Sequence, residues 1–302
     1  MRLGIYYPQN ELGTDPEVIT EFAQGVESMG YDHVMIFDHV APDTPESKPG
    51  WNPAYKASDP LSEVFCLYSF MAAVTTRLEM AVGVLLLSQR QTVLVAKQAA
   101  VVDILSKGRL RLGVGTGWNE VEYEALGMDW KDRGARIDEQ VRVLQKLWTN
   151  EVVTYHGKYH TLNSIGLNPL PVQRPIPIWF GGRSEAVYKR TGELGSGFLP
   201  LTGPDEKGVE TLERIAHYAR EFDRDPSEIK IDVRVHLGGH SSLHARKGRP
   251  AEDLADEAVR WKAMGATHAT FNTRHSQLET VKGHLAAAKR IKNAADSALA
   301  KG

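Results

Sequence analysis

The residues equipped to do chemistry fall in a few short runs. Asp38 and His39 follow the apolar run VMIF. An imidazole beside a carboxylate can exchange protons near neutral pH, because free histidine titrates at about 6.5 and a neighbouring charge moves that value. A capping or structural role fits the same pair. Further on, LGVGTGW supplies Gly113, Gly115, Thr116 and Gly117, then Trp118 and Asn119. Backbone N–H groups bared by glycines suit a phosphate or a ring carbonyl, and a tight turn explains them equally. WFGGRSEAVYKR sets Gly181, Gly182, Arg183 and Ser184 at the head of a helical pattern. Amides at a helix start, joined by a hydroxyl and a guanidinium, make an anion site suited to phosphate. Gly83, followed by Val84, interrupts EMAVGVLLL. Glycine inside a strand marks a bulge, a ligand's close approach, or packing alone.

The elements that must position these runs follow from hydrophobic patterning. Short apolar stretches at 2–7, 33–37, 79–86, 109–115, 176–181, 197–201, 229–237 and 267–272 read as strands. Amphipathic stretches at 15–29, 93–105, 133–148, 184–194, 206–222, 251–264 and 278–288 read as helices, the first with Thr14 as N-cap and Pro16 in its first turn. Eight strands alternating with helices predict an α/β fold of the (β/α)8 TIM-barrel type, one domain over residues 1–302. Chemistry is then expected at the C-terminal ends of the strands, where the βα loops converge. Two segments exceed a plain barrel. Residues 40–60 carry five prolines with Trp51 and Tyr55, a long insertion loop after the second strand that serves as a surface excursion or as a lid. Residues 150–177 hold TYHGKYHTL and NPLPVQRPIP, a hairpin excursion before the fifth strand that is either a connector or a substrate wall.

Several alternatives are excluded. A dinucleotide fingerprint fails because its third glycine would be position 118, which is Trp118. GxxxxGK[ST] and GxSxG motifs are absent. His236, His240 and His244 are spaced four apart, but the glycines and serines between them favour a loop over a metal-binding helix. With 36 basic and 38 acidic residues the chain has no whole-molecule field for nucleic acid or an anionic membrane, which leaves a small-molecule partner. Cys66 is the lone cysteine, so no internal disulfide forms, and neither a signal peptide nor a spanning segment is recognisable. The expected location is the cytoplasm.

In combination these runs resemble the bacterial-luciferase-like superfamily, specifically its coenzyme F420-dependent oxidoreductases. The likeness extends from Met1 to about Leu285 through IFDHV, AVGVLLL, KGRLRLGVGTGWNEVEYEALG, NPLPVQRPIPIWFGG and GATHATFNT. It implies a flavin or deazaflavin at the barrel mouth, its ring over a non-proline cis peptide at Gly83–Val84. The phosphate would lie on the loops carrying Gly115, Thr116, Gly117 and Asn119 and carrying Gly181, Gly182, Arg183 and Ser184. Asp38 and His39 would stand at the reacting edge of the ring, His39 managing a proton and Asp38 orienting it or touching the ring. Apart from the resemblance, Trp51 and Tyr55 on the 40–60 loop, with Trp118, are candidates to border the substrate. The implied reaction is hydride transfer between F420 and a small organic molecule, by a homodimer. An FMN-dependent monooxygenase served by a separate flavin reductase stays open, as does a barrel that binds cofactor without turnover. Two departures matter. The glutamate that follows GTG in the related sugar-phosphate dehydrogenases is Trp118 here, against that substrate class. A family run close to ADGW is GSGFLP at 195–200, so no contact is carried over from it.

Overall fold

Residues 1–44, 47, 55–238 and 248–301 are described by a computed structural model. The elements run β1 (Arg2–Tyr6), α1 (Gln9–Leu12), α2 (Pro16–Ser28), β2 (His33–Ile36), α3 (Val64–Val74), β3 (Glu79–Val82), β4 (Leu85–Leu86) and α4 (Thr92–Leu105). There follow β5 (Leu110–Gly115), α5 (Glu120–Ala125), α6 (Arg133–Thr149), β6 (Val153–His156), β7 (Thr161–Ile165), β8 (Ile178–Gly181) and α7 (Glu185–Leu194). The chain ends with β9 (Gly197–Leu199), α8 (Glu206–Glu221), β10 (Lys230–His236), α9 (Ala251–Ala263), β11 (His268–Asn272) and α10 (Val281–Leu299).

The parallel ladder passes from β1 through β2, β3, β5, β8, β9 and β10 to β11, which pairs back onto β1. That closed ring is the (β/α)8 barrel. The stretch expected as one third strand is two pieces, β3 and β4, interrupted at Gly83 and Val84, and β4 continues the pairing onto β5. Outward residues such as Val34, Ile36, Leu112, Val114, Phe180 and Val235 are buried under the helices, which explains why the strands read as apolar runs.

Inside the barrel the side chains are layered. At the lower end Arg111 donates to Glu79 (2.6 Å) and Asp232 (2.8 Å) and lies over the Trp179 ring at 4.2 Å. His33 stands 3.2 Å from the same Asp232 and 2.7 Å from Thr270 Oγ1. Above this polar layer Tyr6, Met35, Phe37, Ala81, Trp179 and Leu199 form an apolar plug. The plug separates the ionic layer from the mouth.

The hairpin before the fifth barrel strand is present as the antiparallel pair β6–β7. His160 on it meets Thr92 Oγ1 at 2.6 Å and Glu139 at 2.8 Å, tying it to α4 and α6. Three expectations need correction. Asp15, not Thr14, caps α2, because its carboxylate accepts from the Glu17 N–H at 2.8 Å. Helix α3 was not expected, since VFCLYSFMAAV is apolar on almost every face and shows no one-sided period. Helix α10 continues to Leu299 instead of ending at 288, sustained by alanine propensity after Thr280 caps its start.

Candidate active site

Gly83–Val84 is a cis peptide, as the resemblance implied. The break turns Val84 toward the axis. A Cβ on Gly115 would come within 2.8 Å of Val84 Cγ2, and one on Gly181 within 2.8 Å of Val84 Cγ1. These two glycines therefore make room for a valine seated between the ends of β5 and β8. Gly83, Val84, Thr116, Gly117, Gly181 and Gly182 are all half-buried at the strand ends, leaving a shallow surface of backbone and the Val84 side chain open at the mouth. Gly117 and Gly182 hold φ of 72° and 149°, values that favour glycine.

Beside this floor stands His39, buried to within 5 %. Its Nδ1 lies 3.0 Å from Oε2 of Glu122, which is fully buried on α5. The other Glu122 oxygen accepts from the amides of Val40 and of Ala41 (3.0 Å). Burial is the largest influence on this carboxyl and pushes it up. The hydrogen bond and charge of His39, with the Ala41 and Val40 amides, outweigh it and hold Glu122 below its ordinary value. An ionised Glu122 needs a donor, so His39 donates from Nδ1, and Nε2 has no protein hydrogen-bond partner among the described residues. A rigidly held imidazole with one free nitrogen is equipped to take or give a proton at the mouth.

Asp38 plays a different part from the one expected. Its Oδ2 accepts from the Leu86 N–H (3.1 Å) and from Arg90 Nε (3.3 Å), and its Oδ1 from another Arg90 nitrogen (2.7 Å). Arg90 also reaches Glu63 at 2.9 Å. Both carboxylate oxygens help fix the segment after the cis peptide, and Glu122, not Asp38, holds His39. The Asn119 side chain has a structural task of its own. Its oxygen caps α5 through the Val121 N–H, and its Nδ2 donates to Asp43 at 3.1 Å, which occupies the side chain in positioning Glu122.

The rim is aromatic. Tyr55 stacks on Phe37 with ring centroids 4.5 Å apart and lies 4.8 Å from His39, while Trp118, 40 % exposed, stands edge-on to His39 at 5.5 Å. Trp51, His240 and His244 lie outside the described residues; His236 is on β10, 3.2 Å from Asn272. Across the mouth Arg183 and Ser184 are exposed before α7, and Ser184 makes no side-chain cap. No carboxylate or carbonyl holds Arg183 among the described residues. The residue missed from the sequence is Glu122. Its only signal is its place in the first turn of a short helix after the fourth barrel strand, and only the fold brings it to His39.

The model of a luciferase-like monooxygenase matches residues 1–300. The chain belongs to the luciferase-like monooxygenase family. Among relatives of this family member, an uncharacterized protein of Mycobacterium tuberculosis is 35% identical over 202 residues, covering 65% of this chain and 69% of that one. An F420-dependent glucose-6-phosphate dehydrogenase of Amycolatopsis mediterranei is 28% identical over 279 residues, covering 82% and 80%. Among solved structures, an F420-dependent secondary alcohol dehydrogenase in complex with an F420-acetone adduct superposes with a TM-score of 0.78 at 19% identity, covering 97% and 98%. That superposition shows the shared barrel.

Proposed function

We propose that this luciferase-like family member is a coenzyme F420-dependent oxidoreductase that moves a hydride between the deazaflavin and a small organic substrate. The observation that carries the reading is the pairing of an open, half-buried floor at Gly83 and Val84 with the Glu122-held His39 at its edge. The floor fits a flat ring: Val84 offers an apolar face, Gly117 and Gly182 offer backbone, and the exposed Arg183 and Ser184 ahead of α7 fit a phosphate. Relatives named for F420 dependence favour the deazaflavin over FMN, and Trp118 in place of a glutamate speaks for a substrate other than a sugar phosphate.

When bound, the deazaflavin would supply hydride donor or acceptor chemistry. The chain's own residues do the rest. Val84 and the glycine ends would support the ring; Tyr55, Phe37 and Trp118 would exclude water from the reacting face. His39 would hold or release the substrate proton at Nε2, while Glu122 fixes its ring and steadies the imidazolium. Asp38 and Arg90 would keep the floor in place from behind. Action as one barrel domain, in a cytoplasmic homodimer, belongs to the same proposal; no helix among the described residues is long and apolar enough to cross a membrane.

The test is F420 absorbance in the presence of small alcohols, aldehydes, ketones and activated alkenes. A substrate-dependent change that falls at least about a hundredfold in His39→Ala supports the reading. Tight F420 binding with no redox change for any of them would favour a non-catalytic carrier.

A further inference from the structure

Resting on the proposed substrate site, we infer that Arg234 and Arg274 form an anion-binding subsite, so that the substrate carries an oxyanion group, a carboxylate or a phosphate, on an apolar body. Arg274 follows β11 and is 94 % buried, being 6 % exposed. Its guanidinium carbon lies 4.4 Å from the Phe37 ring centre, 5.8 Å from Tyr55 and 6.0 Å from Tyr6. Its Nε and one terminal nitrogen are buried with no hydrogen-bond partner among the described residues. Arg234, half-buried on β10, likewise has a buried Nε with no partner among the described residues. The Tyr6 hydroxyl is a third orphan, with Arg234 approaching it without closing a hydrogen bond of normal geometry.

Two other arginines of the barrel meet carboxylates. Arg111 is neutralised by Glu79 and Asp232, and Arg90 by Asp38 and Glu63. Among the described residues neither Arg234 nor Arg274 has a carboxylate within ion-pairing distance. Leaving buried guanidinium N–H groups unpaired is costly, and a native chain keeps two such groups together where a ligand completes them. Their location agrees: a Cβ on Gly83 would come 3.3 Å from the Tyr6 hydroxyl, so the orphans adjoin the cis-peptide floor, on the side lined by Phe37 and Tyr55. An oxyanion accepting from both arginines and from Tyr6 would hold an apolar body against those rings with its reacting carbon between the floor and His39. The fork of Arg274, stacked on Phe37, suits two oxygens of one group.

The test titrates the full-length protein, with and without F420, against benzoate, acetate and inorganic phosphate and against the neutral benzamide and acetamide, by calorimetry. The expected result is benzoate binding at least about tenfold tighter than benzamide, displaced by phosphate, the preference lost in Arg274→Met and Arg234→Met with F420 affinity unchanged. Arg274→Lys, keeping charge without the fork, should retain part of it. Equal binding of benzoate and benzamide overturns the inference, as do arginine variants that lose F420 and keep the benzoate preference, which would assign the pair to the cofactor. If a methionine variant fails to fold by circular dichroism, the wild-type comparison and its phosphate competition decide alone. Anion preference in a protein that binds no F420 would leave the subsite standing and the cofactor proposal refuted; F420 binding without anion preference would do the reverse.

Discussion

Glu122→Gln isolates what the buried carboxylate does for His39. The carboxylate accepts from three N–H groups: His39 Nδ1 and Ala41 N, each at 3.0 Å, and Val40 N. Glutamine can keep its oxygen under the two amides, which share Oε1, but then sets an NH2 group against Nδ1. Two donors cannot face each other, so the His39 proton must move to Nε2. Converting charge-assisted hydrogen bonds to neutral ones costs roughly 1 kcal/mol each, so the variant should be less stable by about 2–3 kcal/mol. Urea unfolding reads that loss, and 15N spectra of histidine-labelled protein read the tautomer without any substrate. Once a substrate is known, kcat should fall by roughly 10²–10⁴-fold, the range of a mispositioned general acid–base group. A Glu122→Gln protein of unchanged stability, with the proton still on His39 Nδ1, would refute the assignment.

The ionic layer and the floor give further expectations. Arg111→Met should destabilise by about 3–5 kcal/mol in urea, because it strands Asp232 and Glu79 in the barrel. Gly115→Ala should cost about 1–3 kcal/mol from its clash with Val84, and Val84→Ala in the same chain should recover much of it; additive effects would show that the two do not share space. Acid should weaken the fold in two steps. Burial first, then the Arg111 charge, lowers His268 from 6.5 to about 3, so the unfolded chain binds the extra proton as pH drops from about 6.5 toward 3. Stability from this residue is complete above 6.5 and is lost on acidification by up to about 1.4 kcal/mol per pH unit. Glu79 is lowered too, since Arg111, His33 and Arg2 outweigh its burial, and its contribution disappears only below the usual carboxylate range. Urea midpoints flat from pH 7 to 4 would contradict this.

The barrel was legible because strands buried on both faces must be apolar runs, and helices on one face must be amphipathic. Helix α3 escaped detection because burial nearly all round erases that period. At the site, sequence located the strand ends correctly, with Gly83, Gly115, Gly181 and His39 all at the mouth. The side-chain partners of Asp38 and Asn119 were not legible because adjacency along the chain says nothing of where a side chain turns; the Leu86 amide and Arg90 meet one, and Asp43 with the Val121 amide the other. Glu122, Arg234 and Arg274 were invisible for a related reason. Their meaning lies in what they meet, or fail to meet, across the barrel, more than eighty residues away in the case of His39 and Glu122.

The most direct test of the central claim is a parallel titration of the purified protein with F420 and FMN, following cofactor fluorescence, repeated with Arg183→Ala. Selective F420 binding, weakened in the variant and more so at low salt, is the predicted result. Preference for FMN, or binding of neither, would contradict it.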